Sequence, residues 1–412
     1  MKNRFAGMAA AAVFALALPA FPQKAGEVFP AWTPGTLDIH HISTGRGNAT
    51  LFVLPDGTTL LVDAGASSGT NPRWAPERPD ASRTPGDWLA RYVERMAGGA
   101  GKARLDYAML THFHADHMGQ VTGATPLSKS GAYKLTGLTE VGDRIPIAKM
   151  LDRGWPDYAY PAPLDNADVK NYRAFLAWQA ANRGMRVERF QPGRNDQIVP
   201  VRAPKAHPNL EIRNLVANGE VWTGVGSQTR RHFPALDSIP ASERPSENMC
   251  SAGFRLSYGP FDYYTGGDIP GIPDEGFPAW QDVETPVAQA VGPVEVAVLN
   301  HHGYIDSQNA FFVGTLRPRV WVFFVWDSAH PTARVYSRLR SPRVYPGPRD
   351  IFANNMHPAN KTVVVGLDKL ASERGHVVVR VAPGGAGYRV VILDDAAETY
   401  RVTAVHGPYE AR

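Results

Sequence analysis

The chain has 412 residues, 43% of them apolar, and a formal net charge of +4. These values mark a globular protein with enough material for one large domain or two ordinary ones. The charge excess would tolerate an anionic substrate but is too small for a nucleic-acid scaffold, and the single cysteine, Cys250, rules out an intrachain disulfide.

Lys2 and Arg4 precede an apolar stretch from Phe5 to Leu18, with small residues at Ala15, Ala17 and Ala20. This is the pattern of a secretory signal peptide over residues 1–20, cleaved near Ala20, so an exported protein, periplasmic or extracellular, is expected. An uncleaved anchor is the alternative, but the stretch is shorter than the ~20 residues a spanning helix needs. No later segment is apolar enough to cross a membrane, so no integral membrane domain is expected.

Thr36–Ile42, Ala49–Leu54 and Thr59–Val62 read as strands, the last two joined by a tight turn at Pro55-Asp56-Gly57. Asp63-Ala64-Gly65 then places a carboxylate at a strand end, followed by a Pro-, Arg-, Ser- and Gly-rich loop over Ser67–Gly86. Trp88–Met96 has helical spacing, with Leu89, Tyr92, Val93 and Met96 on one face.

The apolar run Tyr107–Leu110 leads into Thr111-His112-Phe113-His114-Ala115-Asp116-His117, four metal-type ligands within six residues. If the run is a buried strand, alternate side chains His112 and His114 face one ion, and Asp116 and His117, on the turn that opens a helix, reach a second. Imidazoles with a carboxylate suit zinc first and leave room for manganese. A solvated His-rich turn would need agreement at all four positions by accident.

Residues 128–246 are less regular and read as an insertion holding one helix, Val169–Arg183, and a strand pair, Glu211–Val216 and Glu220–Thr223. Insertions of this kind often wall a substrate pocket. Trp155, Tyr158 and Tyr160 are candidates to line one, against simple packing beside prolines. Cys250, between Met249 and Ser251, reads as a small core residue.

Ala252–Tyr258 and Phe261–Tyr264 are strands around Gly259-Pro260, delivering Thr265-Gly266-Gly267-Asp268, where a carboxylate can bridge two cations. Val294–Leu299 ends in Asn300-His301-His302-Gly303, which offers one further ligand and a neighbour able to bind substrate or carry a proton. Three separate strands thus end in ligand-type residues that can converge on one sheet edge. Farther on, Lys361–Val365, His376–Val381, Tyr388–Leu393 and Tyr400–Val405 alternate as strands, a small β appendage or a closing sheet edge over 366–412.

This order of motifs resembles the metallo-β-lactamase superfamily, with its His-x-His-x-Asp-His signature and distal Asp and His, from about Thr36 to about Val365. Gly45-Arg46-Gly47-Asn48-Ala49, Leu61-Val62-Asp63-Ala64-Gly65, Thr265-Gly266-Gly267-Asp268, His301-His302-Gly303 and His330-Pro331 are similar to the hydrolase domain of ComEC-type competence proteins and to secreted phosphorylcholine esterases. The resemblance implies an α/β fold of the αββα sandwich type, residues 36–365, and a binuclear site. His112 and His114 would hold one ion and Asp116 and His117 the other. Asp268 would bridge them, and His302 would be the last ligand. Asp63 would support the site from beneath.

Asp116, His301 and His330 are then the candidate catalytic residues, Asp116 through its metal, His301 and His330 through substrate contact or proton transfer. Many relatives carry a further His between the cluster and the distal Asp. Here only His207 and His232 stand there, neither in a convincing context, which would leave one ion weakly held. The implied activity is metal-activated hydrolysis of a phosphodiester or related ester, in a small molecule or polymer. Lactam or lactone hydrolysis and a non-catalytic binding module with a vestigial site are the alternatives. A cysteine is missing where common β-lactamases place one, and no basic run with interleaved aromatics favours nucleic acid. Oligomeric state leaves no sequence signature.

Overall fold

The computed structural model describes residues 23–97 and 103–412; the signal-type segment 1–20 lies outside the described residues. In chain order the strands are β1 (Leu37–His41), β2 (Thr50–Val53), β3 (Thr59–Val62), β4 (Leu105–Leu110), β5 (Ile147–Asp152), β6 (Arg186–Arg189), β7 (Leu210–Ala217), β8 (Glu220–Trp222), β9 (Thr229–Arg231), β10 (Gly253–Tyr258), β11 (Phe261–Thr265), β12 (Val296–Val298), β13 (Val320–Phe323), β14 (Asp350–Ala353), β15 (His376–Val381), β16 (Gly387–Leu393) and β17 (Val402–Glu410). The helices are α1 (Pro85–Ala97), α2 (Ala115–Met118), α3 (Gly137–Arg144), α4 (Ala167–Arg183), α5 (Glu284–Val291), α6 (Ala310–Leu316), α7 (Ala333–Arg340) and α8 (Pro358–Val363). Among the described residues no helix is long and apolar enough to cross a membrane.

Two sheets stack face to face. Among the described residues the first runs β17-β16-β15-β1-β2-β3-β4-β5-β6 and the second β14-β13-β12-β11-β10-β7-β8-β9. Alternation along each strand assigns its two faces. Phe52, Leu60, Val62, Tyr107 and Met109 meet Phe254, Leu256, Tyr263, Val296 and Val320 between the sheets. Leu51, Val53, Leu61, Ala108 and Leu110 face outward onto α1, α3 and α4, while Trp321 and Phe323 face α5, α6 and α7. With both faces covered, the strands are apolar nearly throughout, as buried parallel strands require. The result is an αββα sandwich, the architecture the sequence resemblance implies.

Strands β3 to β6 pair in parallel, and so do β11 to β14. Parallel pairing sends every carboxyl end to the same edge, where open α/β sheets place their ligands. Asp63 follows β3, the histidine loop follows β4, Asp268 follows β11 and His302 follows β12.

Three segments differ from the sequence reading. Residues 128–246 are not set apart as an insertion: they contribute β5 and β6 to the first sheet and β7, β8 and β9 to the second. The short buried run of β5, with Lys149 and Asp152 among its six residues, hides its strand character. Lys361–Val365 is not a strand; residues through Val363 form α8, started by Pro358 at the first turn and by His357, whose Nδ1 accepts from Ala359 N at 3.1 Å. The last three strands close the first sheet, since β15 pairs antiparallel with β1 from Leu37↔Val381 to His41↔Val377.

Candidate metal centre

The loop after β4 is held by a tight backbone mesh. Asn48 N donates to Asp116 O at 2.7 Å, Gly65 N to Asn48 O at 2.8 Å and Ala64 N to His117 O at 2.8 Å. Gly47 and Gly65 make room for it: a Cβ on either would lie 2.1 Å or 1.9 Å from the Asp116 carbonyl oxygen. That close approach is what the Gly-Arg-Gly-Asn and Asp-Ala-Gly motifs are for.

At the top of this mesh, ligand atoms of Asp116, His117, Asp268 and His302 lie within 4.8 Å of one another, all four residues buried. His302 Nε2 is 2.9 Å from Asp116 Oδ2 and 3.4 Å from Asp268 Oδ2. His117 Nε2 is 3.2 Å from Asp268 Oδ2 and 3.4 Å from Asp116 Oδ2. Ligands at ~2.0–2.2 Å from a tetrahedral cation are separated from each other by about 3.3–3.6 Å, so this nest has the dimensions of a divalent ion's coordination shell. Asp268 Oδ1 is buried without a partner, a further acceptor for which a cation would compensate. The donor set, two carboxylates and two imidazoles, is compatible with a divalent metal.

Asp63 lies under the nest. Its Oδ2 accepts from His117 Nδ1 at 2.8 Å and from Thr111 Oγ1 at 2.9 Å, and its Oδ1 accepts from Thr111 N at 2.8 Å. A carboxylate on Nδ1 fixes the tautomer that turns the Nε2 lone pair toward the nest. Asp63→Asn should therefore weaken metal affinity about 10- to 100-fold, measured by competition with a chromogenic chelator, with the fold retained by circular dichroism.

Without a cation the charges balance through protons. Burial pulls the His302 imidazole down, but Asp268 and Asp116 override it and carry it up to about 9. His117 is likewise opposed by burial and carried well above its usual value by Asp268, Asp116 and Asp63. Burial favours neutral Asp116, yet His117 and His302 hold it well below the carboxylate range, and His117, His302 and His112 do the same to Asp268.

The stability that His302 contributes is fully present below its usual 6.5 and is lost as pH rises through about 9; that of Asp116 is present above 3.8 and lost as pH falls through its depressed value. Metal-free protein should thus lose melting temperature between about pH 6.5 and about pH 9, whereas the metal-loaded form, in which the cation has displaced the protons, should not. Calorimetry with and without chelator checks this.

His112 and His114 sit on the flank of the nest. His112 Nε2 is 3.7 Å from Asp268 Oδ2 and 3.1 Å from His114 Nδ1; His112 is buried and His114 exposed. His207 and His232 do not join them: His232 Nε2 contacts Asp282 O at 2.9 Å and His207 packs against Tyr258.

His301 and His302 both have left-handed backbones, φ 45° and 54°, a strain that functional sites commonly carry. The turn separates their roles. His302 enters the nest, while His301 Nδ1 meets Asp306 Oδ1 at 2.7 Å and its Nε2 meets Asn248 Nδ2 at 3.1 Å. His330 stacks on His302, centroids 4.6 Å apart at 19°, and is itself buried, so it backs a ligand rather than standing at an exposed rim.

The aromatic candidates of the middle segment are packing residues at one position at least: Tyr158 is buried and donates to Asp152 Oδ2 at 2.8 Å. Cys250 is buried too, its thiol pushed up to about 12 by burial.

Several neighbours were not evident from sequence. Glu247 Oε1 accepts from Phe113 N at 2.8 Å and from Arg153 Nε at 3.0 Å, tying the histidine loop to the segment before β10. Arg153 also donates to Asn218 Oδ1 at 2.8 Å and its guanidinium lies 4.9 Å from the Phe113 ring. Trp326 donates toward His302 Nε2 at 3.3 Å. Only Trp326 had a usable signal, as the residue that ends the apolar run Val320–Val325.

Residues 42–128 match the family model described as Metallo-beta-lactamase superfamily, and the two sheets packed between helices are consistent with that match. No curated protein matches the chain. Among solved structures, it is similar to a mutant of the CmlA beta-hydroxylase, with 15% identity and a TM-score of 0.38 over 79% of this chain and 53% of the other. The chain thus spans about half the length of that protein. It is also similar to the metallo-beta-lactamase fold protein YhfI from Bacillus subtilis, with 12% identity and a TM-score of 0.35 over 85% of this chain and 98% of the other.

Proposed function

We propose that this protein is an exported, metal-dependent hydrolase that acts on a phosphodiester or a related ester. The observation that carries the reading is the convergence of Asp116, His117, Asp268 and His302 in one buried nest. Two divalent ions, zinc before manganese, are proposed: one in the nest and a second, more weakly held, at His112 and His114 with Asp268 shared. Bound there, divalent ions lower the pKa of water from ~15.7 to near ~7 and polarise the bond under attack.

The chain's own groups supply the rest. Asp63 orients His117, and the mesh through Asn48 and Gly65 fixes Asp116. His301, with Nδ1 on Asp306, is placed to hold a proton for the leaving oxygen, a role typically worth a factor of roughly a hundred to ten thousand. A set of imidazoles and carboxylates without a thiolate suits zinc or manganese, cations that take phosphate oxygens, and the resemblance of the motifs to those of ComEC-type hydrolase domains and secreted phosphorylcholine esterases supports the same reading. Export rests on the N-terminal pattern of residues 1–20.

A panel of bis(4-nitrophenyl) phosphate, nitrophenyl phosphorylcholine, nitrocefin and a lactone, offered to metal-loaded and chelator-treated protein, tests the reading. Metal-dependent turnover of a phosphodiester is expected. Hydrolysis of nitrocefin alone would overturn it.

A further inference from the structure

Trp326 lies three residues beyond the end of β13, at the edge that carries the metal ligands, and its indole Nε1 reaches His302 Nε2 at 3.3 Å. The same imidazole nitrogen lies 2.9 Å from Asp116 Oδ2. An imidazole nitrogen has either one proton to give or one lone pair to offer, so it cannot satisfy a carboxylate and an indole N–H together. A cation in the nest would take that lone pair and reconcile His302 with Asp116. With Nε2 either protonated toward Asp116 or bound to a cation, the indole N–H has no lone pair on His302 to use.

The ring has little room to seek one elsewhere. Ala75 N donates to Trp326 O at 2.8 Å, and Val325 N to Asn354 Oδ1 at 2.9 Å. Trp74 packs edge-on to it at 6.1 Å and His330 at 5.3 Å. A part-buried donor that lacks an acceptor gains from a new one, and one aimed into the nest is placed to meet an oxygen on which negative charge gathers.

We propose that Trp326 is a catalytic residue whose indole N–H binds a substrate oxygen, a non-bridging oxygen of the phosphoryl group, once a cation occupies the nest. The inference deepens the phosphodiester reading and rests on it for the identity of the oxygen.

Inorganic phosphate is the probe, titrated calorimetrically into zinc-loaded full-length protein. Trp326→Phe keeps an aromatic ring and removes the N–H. It should retain zinc and bind phosphate roughly tenfold more weakly, the effect of one hydrogen bond to a charged group. In the unmutated protein one indole ¹⁵N–¹H cross-peak, the one missing from Trp326→Phe, should move when phosphate is added to the zinc form and stay still in the metal-free form. The proposal is overturned if that cross-peak does not move, if the variant binds phosphate as tightly as the parent, or if it loses zinc. Absence of turnover of bis(4-nitrophenyl) phosphate would instead count against the phosphodiester reading and leave the phosphate titration standing.

Discussion

Asp268→Asn should lower kcat/KM on the responsive ester by about a thousandfold or more, as expected when several kcal/mol of charge stabilisation by a metal are removed. The residue lies within 3.7 Å of three imidazoles, those of His112, His117 and His302, and its backbone is fixed by Asp268 N donating to Ser251 Oγ at 3.2 Å. The substitution keeps the volume and removes the charge. Metal content should fall with the rate, and elemental analysis beside the kinetics separates this from a loss of folding. A variant that keeps its metal and its rate would show that Asp268 is a bystander.

The second large effect is on stability. Arg153 is fully buried and its main charge partner is Glu247, whose side chain is only 14% exposed. Breaking a buried ion pair from one side strands the other charge, at a cost of about 3–5 kcal/mol. Glu247→Leu should therefore be strongly destabilising in denaturant titration. The same substitution frees Phe113 N, between His112 and His114, so metal should be lost from that side of the centre before the nest is affected. Unchanged stability would mean that its existing bonds to Asn218 Oδ1 and the Tyr160 carbonyl suffice to hold the guanidinium.

What could be read from the sequence was what is local. His112, His114, Asp116 and His117 declare themselves by density, and Asp63, Asp268 and His302 by standing at strand ends before or beside glycine. Alternation located the two hairpin strands of the first sheet and β15 to within a residue or two. Other features depend on contacts far apart in the chain. β5 and β6 gain their identity from parallel neighbours, so the segment holding them looked like an insertion. α8 depends on a cap by His357 and Pro358 that the alternation of Lys361–Val365 disguised. Arg153 and Glu247 are 94 residues apart, and neither sits in a motif. His301 and His302, adjacent in sequence, part ways only because both backbones take the left-handed turn.

Side chains following β4, β11 and β12 are placed together where they could hold a cation. Zinc-reconstituted protein, crystallised and measured on both sides of the zinc absorption edge, tests this most directly. An anomalous peak bounded by Asp116, His117, Asp268 and His302 is predicted; a stoichiometrically loaded crystal with no peak there, or with its peak elsewhere, would contradict it.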